Sequence, residues 1–334
     1  MNKTKIITFD YLKQFNRIHV KITDSFFNKL RNIILKEYGI KRFGKNILRI
    51  NEGTFQSEFV RNVYHPFSRI LSIIKYLNIE EKELYDNILG FYHWGSHNNC
   101  DIQISRELEI NEFFVEGYAL YLAEGDTGFS GNKRPRHFRF TNADVNVINH
   151  MIKWINTYFP NNGSYVSVIN PNGNEINFGE INKLINHDKI KFSEGDYNKI
   201  IKYRIYVDRA VIIDLILSIE NIIKELCSKD SKLAAAYIRG MMIGEGTAYF
   251  NRSRYVRIEM KNEKEIKYLH KLLTMLGFDC KPVLRQDRKG YWSLYIGAKQ
   301  LDKFAKEIGF GVHNERQRIL EKGANKILRV NQYC

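Results

Sequence analysis

Two apolar segments dominate the pattern of hydrophobic and polar positions along the chain. They span residues 117–125 and 238–246, and their apolar content predicts two helices. Each segment carries two small residues four positions apart, which places both on one face of a helix. Small side chains there allow two helix backbones to approach closely. We therefore expect the helices to pack against each other through four small residues: Ala119, Ala123, Gly240 and Gly244.

Each segment ends in a glutamate and a glycine, Glu124-Gly125 in the first copy and Glu245-Gly246 in the second. A carboxylate at the C-terminal end of a helix faces the negative end of the helix dipole and lowers stability. Packing the helices side by side also brings two like charges together, unless a cation lies between them. Because hard cations such as Mg²⁺ bind carboxylate oxygens, we predict a metal site here. The glycines are expected to close their helices in the left-handed conformation.

The residues after each segment predict an internal repeat. A strand at 137–141 and a helix at 143–158 follow the first segment, and strands at 247–250 and 255–260 and a helix at 263–276 follow the second. Asn142 lies 18 residues after Glu124, and Asn262 lies 17 after Glu245. We therefore predict the order helix, two strands, helix, two strands, helix in both repeats. The first repeat has about 30 extra residues between 170 and 199, which are rich in Asn and Gly and predict long loops.

The remaining segments complete the predicted domain organisation. Residues 1–92 predict a mostly helical, helix-turn-helix-like DNA-binding domain, with residues 54–63 as the recognition helix and Gln56 and Arg61 facing the DNA groove. An ordinary helical bundle would show the same pattern and stays open as an alternative. The other predicted units are a linker at 93–110 with a short strand at 101–105, the repeats at 111–230 and 231–310, and a basic helical tail at 311–334.

The charge balance points to a polyanionic partner. The chain has 334 residues and a formal net charge of +15, which favours nucleic acid, although a lysine-rich proteome would give the same bias. The 4 cysteines are scattered, which is typical of a reducing compartment. The opening residues do not resemble a signal peptide, and no apolar run reaches the roughly 20 residues that span a membrane. We therefore expect a cytoplasmic protein without membrane partners.

The two segments resemble the paired motifs of LAGLIDADG homing endonucleases, with Glu124 and Glu245 at the eighth position and Gly125 and Gly246 at the ninth. The resemblance implies an α+β fold in which pseudo-symmetric tandem αββαββα repeats form a DNA-binding saddle. It implies a monomeric, site-specific endonuclease that cleaves double-stranded DNA with Mg²⁺ or another divalent cation. The two glutamates, with the two glycines beside them, would form the metal site.

The resemblance also implies basic residues around the reacting water and along the strands. In the first repeat Lys202 or Arg204 would have this role, and in the second Arg285 or Lys289; we predict Lys202 and Lys289 as catalytic. Strand side chains alternate in direction, so one set would face DNA. The predicted DNA-binding residues of the repeats are Arg136, Arg139, Arg252, Arg254, Arg257, Lys281, Arg285 and Arg288.

Two other functions are compatible with the same resemblance. One is a DNA-binding transcriptional regulator that keeps the scaffold and has lost cleavage, which the helix-turn-helix-like region favours. The other is a maturase that binds intron RNA. The presence of both glutamates favours the endonuclease, because a protein that only binds DNA has no need for two carboxylates placed against helix dipoles.

Overall fold

A computed structural model gives the fold of the chain. It describes residues 5–8, 18–93, 107–126, 137–160, 162–171, 178–195, 200–208, 210–251 and 253–331.

The N-terminal region combines short strands with helices. Its elements in chain order are β1 (Lys5–Thr8), β2 (Ile18–Ile22), α1 (Asp24–Glu37), α2 (Ile40–Arg42), α3 (Glu52–Val60), β3 (His65–Pro66), α4 (Phe67–Tyr76), α5 (Glu81–Asp86) and β4 (Ile88–His93). A π-helical turn, Phe43–Ile47, follows α2.

The first repeat is longer than the second. Its elements are β5 (Glu107–Ile110), α6 (Glu112–Glu124), β6 (Gly125–Asp126), β7 (Phe138–Asn142), α7 (Val145–Tyr158), β8 (Tyr165–Pro171), α8 (Phe178–Leu184), β9 (Ile190–Gly195), β10 (Lys202–Val207), α9 (Ala210–Ser218) and α10 (Glu220–Cys227). The second repeat and the tail contain α11 (Ser231–Glu245), β11 (Gly246–Phe250), β12 (Arg254–Met260), α12 (Glu263–Met275), β13 (Val283–Leu284), β14 (Trp292–Gly297), α13 (Leu301–Glu307) and α14 (Asn314–Asn331), with a 3-10 turn at Ala298–Gln300.

The two repeats share one sheet topology. The strand order is β6-β7-β10-β8-β9 in the first sheet and β11-β12-β14-β13 in the second. Without α8 and β9 of the insertion, the first repeat runs from α6 to α9 as a helix, two strands, a helix, two strands and a helix, and the second repeat has the same order from α11 to α13. The predicted α+β class and the tandem αββαββα order are therefore confirmed.

The predicted long loops between residues 170 and 199 are wrong in part. The described part of this insertion contains α8 and also β9, which pairs with β8 in parallel. Ile181 and Ile185 are buried, so the insertion adds to the core of the first repeat. The insertion is rich in Asn and Gly, and its few apolar positions are too sparse to predict a helix or a strand.

The N-terminal region is less helical than predicted. β2 lies between β3 and β4 in a three-stranded antiparallel sheet. β3 is only two residues long, and residues 88–92 of β4 are apolar without alternation. Neither β3 nor β4 therefore shows the alternating pattern that predicts a half-buried strand. A helix-turn-helix arrangement stays a prediction; α3 ends at Val60, before the predicted end of the recognition helix at residue 63.

The domain boundary at residue 92 stays a prediction, but β1 lies outside the N-terminal sheet. β1 pairs with β5, which enters α6, through the register Lys5↔Ile110 to Thr8↔Glu107. Lys5 also forms an ion pair of 2.8 Å with Asp230, which caps the N-terminus of α11. The first described strand thus belongs with the repeats. Along the chain, residues 18–93 are inserted between β1 and β5, the two strands of one sheet. The strand predicted at 101–105 lies outside the described residues.

The helix pair at the centre depends on residues too small to separate the backbones. A methyl group in place of the Gly240 hydrogen would overlap the carbonyl oxygen of Glu116 and lie 2.9 Å from Cβ of Ala119. On the opposite side of α6, Trp154 fills the space beside Gly117 and donates from Nε1 to the carbonyl of Phe114 at 3.0 Å. α6 is therefore packed tightly between α11 and α7.

A buried ionic cluster joins the two repeats beside this contact. Arg239 of α11 donates to Oε2 of Glu116 in α6 at 2.8 Å and, through Nε, to the carbonyl of Ile308 at 2.6 Å. His150 of α7 lies 3.2 Å from the other oxygen of Glu116. Removing one partner of such a group leaves a buried charge uncompensated, so the cluster fixes how α6 and α11 align.

The Gly240→Ala variant tests the helix contact. We expect the added methyl group to force α6 and α11 apart and lower the free energy of unfolding by about 1–3 kcal/mol. The matched control is Gly297→Ala, because Gly297 has an ordinary extended backbone and no atom within 4 Å of the added methyl group. Urea unfolding followed by circular dichroism measures both, and equal stabilities would contradict the packing described.

Candidate functional site

The C-terminal ends of α6 and α11 meet, and each end carries a glutamate. A methyl group at Gly244 would lie 2.6 Å from Cβ of Ala123 and 3.0 Å from Cγ of Glu124. Gly244 immediately precedes Glu245. The absence of a side chain at this position therefore lets two carboxylates approach at the negative ends of two helices.

The glycines after the glutamates do not have the predicted left-handed conformation. Gly125 has φ −72° and ψ 145°, and Gly246 has φ −80° and ψ 155°, so both are extended and neither is left-handed. The chain passes directly from each helix into a strand. A methyl group at Gly246 would lie 2.5 Å from the carbonyl oxygen of Met242, and one at Gly125 would overlap that of Tyr121. Close approach of the strand to the helix end, not a left-handed turn, requires glycine here.

The environment of Glu124 disfavours a negative charge. Burial raises its pKa to about 7, and the charge of Glu245 adds to this effect. Arg316 and Lys202 act in the opposite direction. Within the described ranges, neither glutamate forms a hydrogen bond or ion pair with another side chain. The pair therefore combines partial burial, mutual repulsion and unshared carboxylate oxygens.

Glu245 has a similar environment with different neighbours. Burial raises its pKa, Arg316 and Arg288 lower it, and the negative charge of Glu259 raises it further. Arg316 thus acts on both glutamates of the pair.

Strand register shows that Arg204 and Lys202 of the first sheet have no basic counterpart in the second. Arg204 pairs with Thr141 in the first sheet, and Ser293 pairs with Glu259 at the same position of the second. Two residues earlier, Lys202 corresponds to Tyr291, which is not basic. Arg288 stacks on the ring of Tyr291, 3.7 Å from its centroid, and acts on Glu245. The second cation of the site comes from a turn and not from the equivalent strand position.

Of the two predicted catalytic lysines, the structure brings only Lys202 to the glutamates. Lys202 is half-buried at the start of β10 and acts on Glu124. Lys289 is exposed in the turn before β14, and the neighbouring Arg288 interacts with Glu245 instead. The alternation of side chains along a strand does not extend to a residue in a turn, such as Lys289.

Arg316 is a site residue that the sequence analysis left in the basic tail. Its Nη1 atom donates to the carbonyls of Met242, Ile243 and Gly244 at 3.3, 2.7 and 3.1 Å. These carbonyls belong to the last turn of α11. That of Met242 also accepts from the N–H of Gly246, whereas those of Ile243 and Gly244 have no donor within the helix. The helical spacing of basic residues in the tail predicted a helix, but nothing in it singled out one arginine.

Glu259 organises the arginines on the open face of the second sheet. It is 8% exposed and accepts from Arg288 at 2.6 Å, from Arg285 at 2.9 Å and from Ser293 at 3.2 Å, with Arg257 at 3.5 Å. Burial acts to raise the pKa of Glu259, but the hydrogen bond from Arg288 and the arginine charges hold it below its ordinary value. Three predicted DNA-binding arginines therefore share one carboxylate that the sequence analysis missed.

The other predicted DNA-binding residues lie in varied settings. Arg139 lies on the face of β7 opposite buried Phe138 and Phe140 and forms an ion pair of 2.5 Å with Asp126. Arg254 shares its strand face with buried Val256, so the pleat of β12 directs it away from Arg257. Lys281 is exposed, as are Gln56 in α3 and Arg61 at its C-terminal end. Arg136 and Arg252 lie outside the described residues.

The described residues contain neither a larger cluster of metal-binding side chains nor a membrane-spanning helix. No group of three or more His, Cys, Asp or Glu side chains there is placed to hold a metal ion. No helix among those residues has the length and apolar character needed to cross a membrane.

Comparison with known proteins gives a match in the second repeat. Residues 232–309 match the family model of the LAGLIDADG-like domain. No curated protein matches the chain.

Solved structures with similarity to the chain include two homing endonucleases. The crystal structure of I-DmoI in complex with DNA and Mn has 18% sequence identity and a TM-score of 0.40, with 61% of this chain and 99% of that chain covered. I-WcaI bound to its DNA recognition sequence has 11% identity and a TM-score of 0.40, with 63% and 86% covered.

A third structure is the N-terminal LAGLIDADG domain of DUF199/WhiA, with 15% identity, a TM-score of 0.37, and 59% of this chain and 82% of that chain covered.

The family match covers the helix that ends in Glu245, the four-stranded sheet and α13. The chain therefore contains a LAGLIDADG-like domain at residues 232–309.

Proposed function

We propose that the protein is a site-specific endonuclease that hydrolyses phosphodiester bonds of double-stranded DNA with Mg²⁺ or another divalent cation. The observation that carries the proposal is the pair of glutamates at the meeting ends of α6 and α11, without hydrogen-bond partners among the described residues. Two carboxylates are rarely held together at helix C-termini for stability alone, because the helix dipole opposes each of them. A binding role for a cation gives a reason for the arrangement.

The donor set fits a hard divalent cation. Glu124 and Glu245 offer carboxylate oxygens that no described side chain occupies, and burial together with repulsion favours a positive charge beside them. Backbone oxygens of Gly125 and Gly246 stay predicted ligands. When bound, a divalent cation polarises a phosphoryl oxygen and makes water a better nucleophile at neutral pH.

The basic residues beside the pair suit a phosphate substrate. Lys202 lies near Glu124, and Arg288 lies near Glu245. Each repeat thus supplies one cation. Both cations would neutralise charge on a phosphodiester held between the two sheets. Their positions favour a role in binding and orienting the backbone of each strand.

The open face of the sheets supplies the proposed DNA surface. In the second sheet Tyr249 stacks on Tyr255 at 5.1 Å, and Tyr255 contacts the ring of Tyr295 at 5.5 Å. In the first, Tyr165 stacks on Tyr206 at 5.0 Å. Aromatic rings between arginines form a surface with both charge and hydrogen-bond donors, which phosphates and base edges require.

A DNA-binding protein without cleavage is the second candidate, and Arg316 is the observation that favours it. A guanidinium group fixed beside both glutamates offsets their repulsion without any metal. A scaffold that has lost cleavage could keep both glutamates in this way. The two functions differ in whether a divalent cation is required.

Cleavage of a randomised duplex DNA library with Mg²⁺ tests the proposal. We expect recurrent cuts by the parent protein and a loss of about 100-fold or more in the Glu124→Gln/Glu245→Gln variant, because both carboxylate ligands lose their charge. The control is Glu80→Gln/Glu307→Gln, which makes the same charge change at two exposed residues and should cut normally. Salt-sensitive retention of particular sequences without cuts by any variant would support the DNA-binding candidate.

Stability in metal-free buffer should depend on pH through Glu124. Its folded-state pKa of about 7 lies above the ordinary carboxyl value, so folding takes up a proton. The stabilising contribution is therefore present at low pH and is lost as the pH rises from roughly 4.5 through 7. Relative to the parent, Glu124→Gln should gain about 2 kcal/mol between pH 5 and pH 8 in urea titrations with a chelator. Glu307→Gln should show no such gain; a pH-independent Glu124→Gln difference would contradict the assignment.

A further inference from the structure

The tail helix α14 brings one cation to the point where the two repeats meet. Arg316 lies in its first turn and donates to three carbonyls in the last turn of α11. These carbonyls belong to the residues directly before Glu245. Arg316 therefore binds the same helix end that carries one glutamate of the pair.

The position of Arg316 is fixed by contacts on both sides. Leu320 and Ala324 are buried, one and two turns further along α14. Gln317 accepts from the backbone N–H of Phe310 at 2.7 Å. Nδ1 of His313 lies 3.4 Å from Asp144, the residue that caps α7 of the first repeat. The start of α14 thus contacts both repeats and is a rigid support for the guanidinium group.

The charges around Arg316 converge from three elements. Glu124 at the end of α6, Asp144 at the start of α7 and Glu245 at the end of α11 all interact with its guanidinium group. Arginine stays charged even when partly buried, because its pKa is far above neutral. One permanent positive charge therefore faces three carboxylates of the two repeats, in addition to Glu315 of its own helix, and the negative end of α11.

We propose that Arg316 is a positioning residue that holds Glu124, Glu245 and the end of α11 together before a divalent cation binds. Without it, the glutamates repel each other across the Gly244 contact, and the meeting helix ends separate until a metal ion takes over its role. The part of this inference that concerns the metal rests on the proposed function. The part that concerns Arg316 and the glutamates does not.

Thermal unfolding of Arg316→Met in a chelating buffer is the first measurement. We expect the midpoint to fall by about 4 °C or more. Arg318→Met is the matched control, because Arg318 is exposed two residues further along the same helix, and its midpoint should stay within about 2 °C of the parent. An Arg316→Met midpoint within the range of this control overturns the proposal.

A double-mutant cycle separates electrostatic positioning from simple capping of the helix. Arg316→Met is compared in the parent and in Glu124→Gln/Glu245→Gln, where the repulsion is absent. The proposal expects the loss in the second background to fall below half of that in the first. Equal losses would show that Arg316 only satisfies the carbonyls of α11. If Arg316→Met does not fold, Arg316→Gln and Arg316→Lys replace it. The Gln side chain keeps N–H donors without a charge, whereas the Lys side chain keeps the positive charge. Only Arg316→Lys should have a midpoint close to that of the parent.

Addition of MgCl₂ separates this inference from the proposed function. Mg²⁺ should raise the midpoint of Arg316→Met more than that of the parent, and should raise neither when both glutamates are Gln. If Mg²⁺ changes no midpoint while the cycle shows coupling, the metal-dependent function fails and Arg316 keeps its positioning role. If Mg²⁺ stabilises the parent but the cycle shows no coupling, the inference about Arg316 fails alone.

Discussion

Contact between the backbones of α6 and α11 is the constraint on which the other features depend. The helices approach this closely only because Gly240 and Gly244 lack side chains. The approach places Glu124 and Glu245 together at two negative helix ends, and the cations around them offset part of the resulting repulsion. Tight packing at one interface thus creates the electrostatic problem that the surrounding basic residues, and a metal in the proposed function, would solve.

The sequence was sufficient for those features that local pattern determines. Helical period, small residues four apart and the repetition of strand and helix signals predict the central helices and the αββαββα order, which the structure confirms. Long segments with a strong period carry this information because neighbouring residues on one face share one environment. The pair Glu124 and Glu245 could be singled out because each follows such a segment at the same offset.

Features that depend on distant contacts escaped sequence analysis. The two-residue β3 exists only through its pairing with β2, and Arg288 reaches Glu245 from a turn. Arg316 is one of several basic residues in the tail, and only the fold shows that it meets the end of α11. The common way in which helices end predicts a left-handed φ at Gly125. In the structure, glycine is required there because the strand that follows passes close to the carbonyl of Tyr121, a contact that the local pattern does not show.

The carboxylate of Glu259 restrains three arginine side chains before any partner arrives. A free arginine loses up to about 2 kcal/mol of rotational freedom when it is immobilised, so arginines already held lose less on binding. The same carboxylate competes with a partner for the guanidinium N–H groups. A lone phosphate would then gain little binding free energy. A partner whose acceptors match the fixed geometry of the outward-facing N–H groups would gain more. In the proposed function, the restrained arginines of this face would favour a DNA sequence whose acceptors match their fixed geometry over other polyanions.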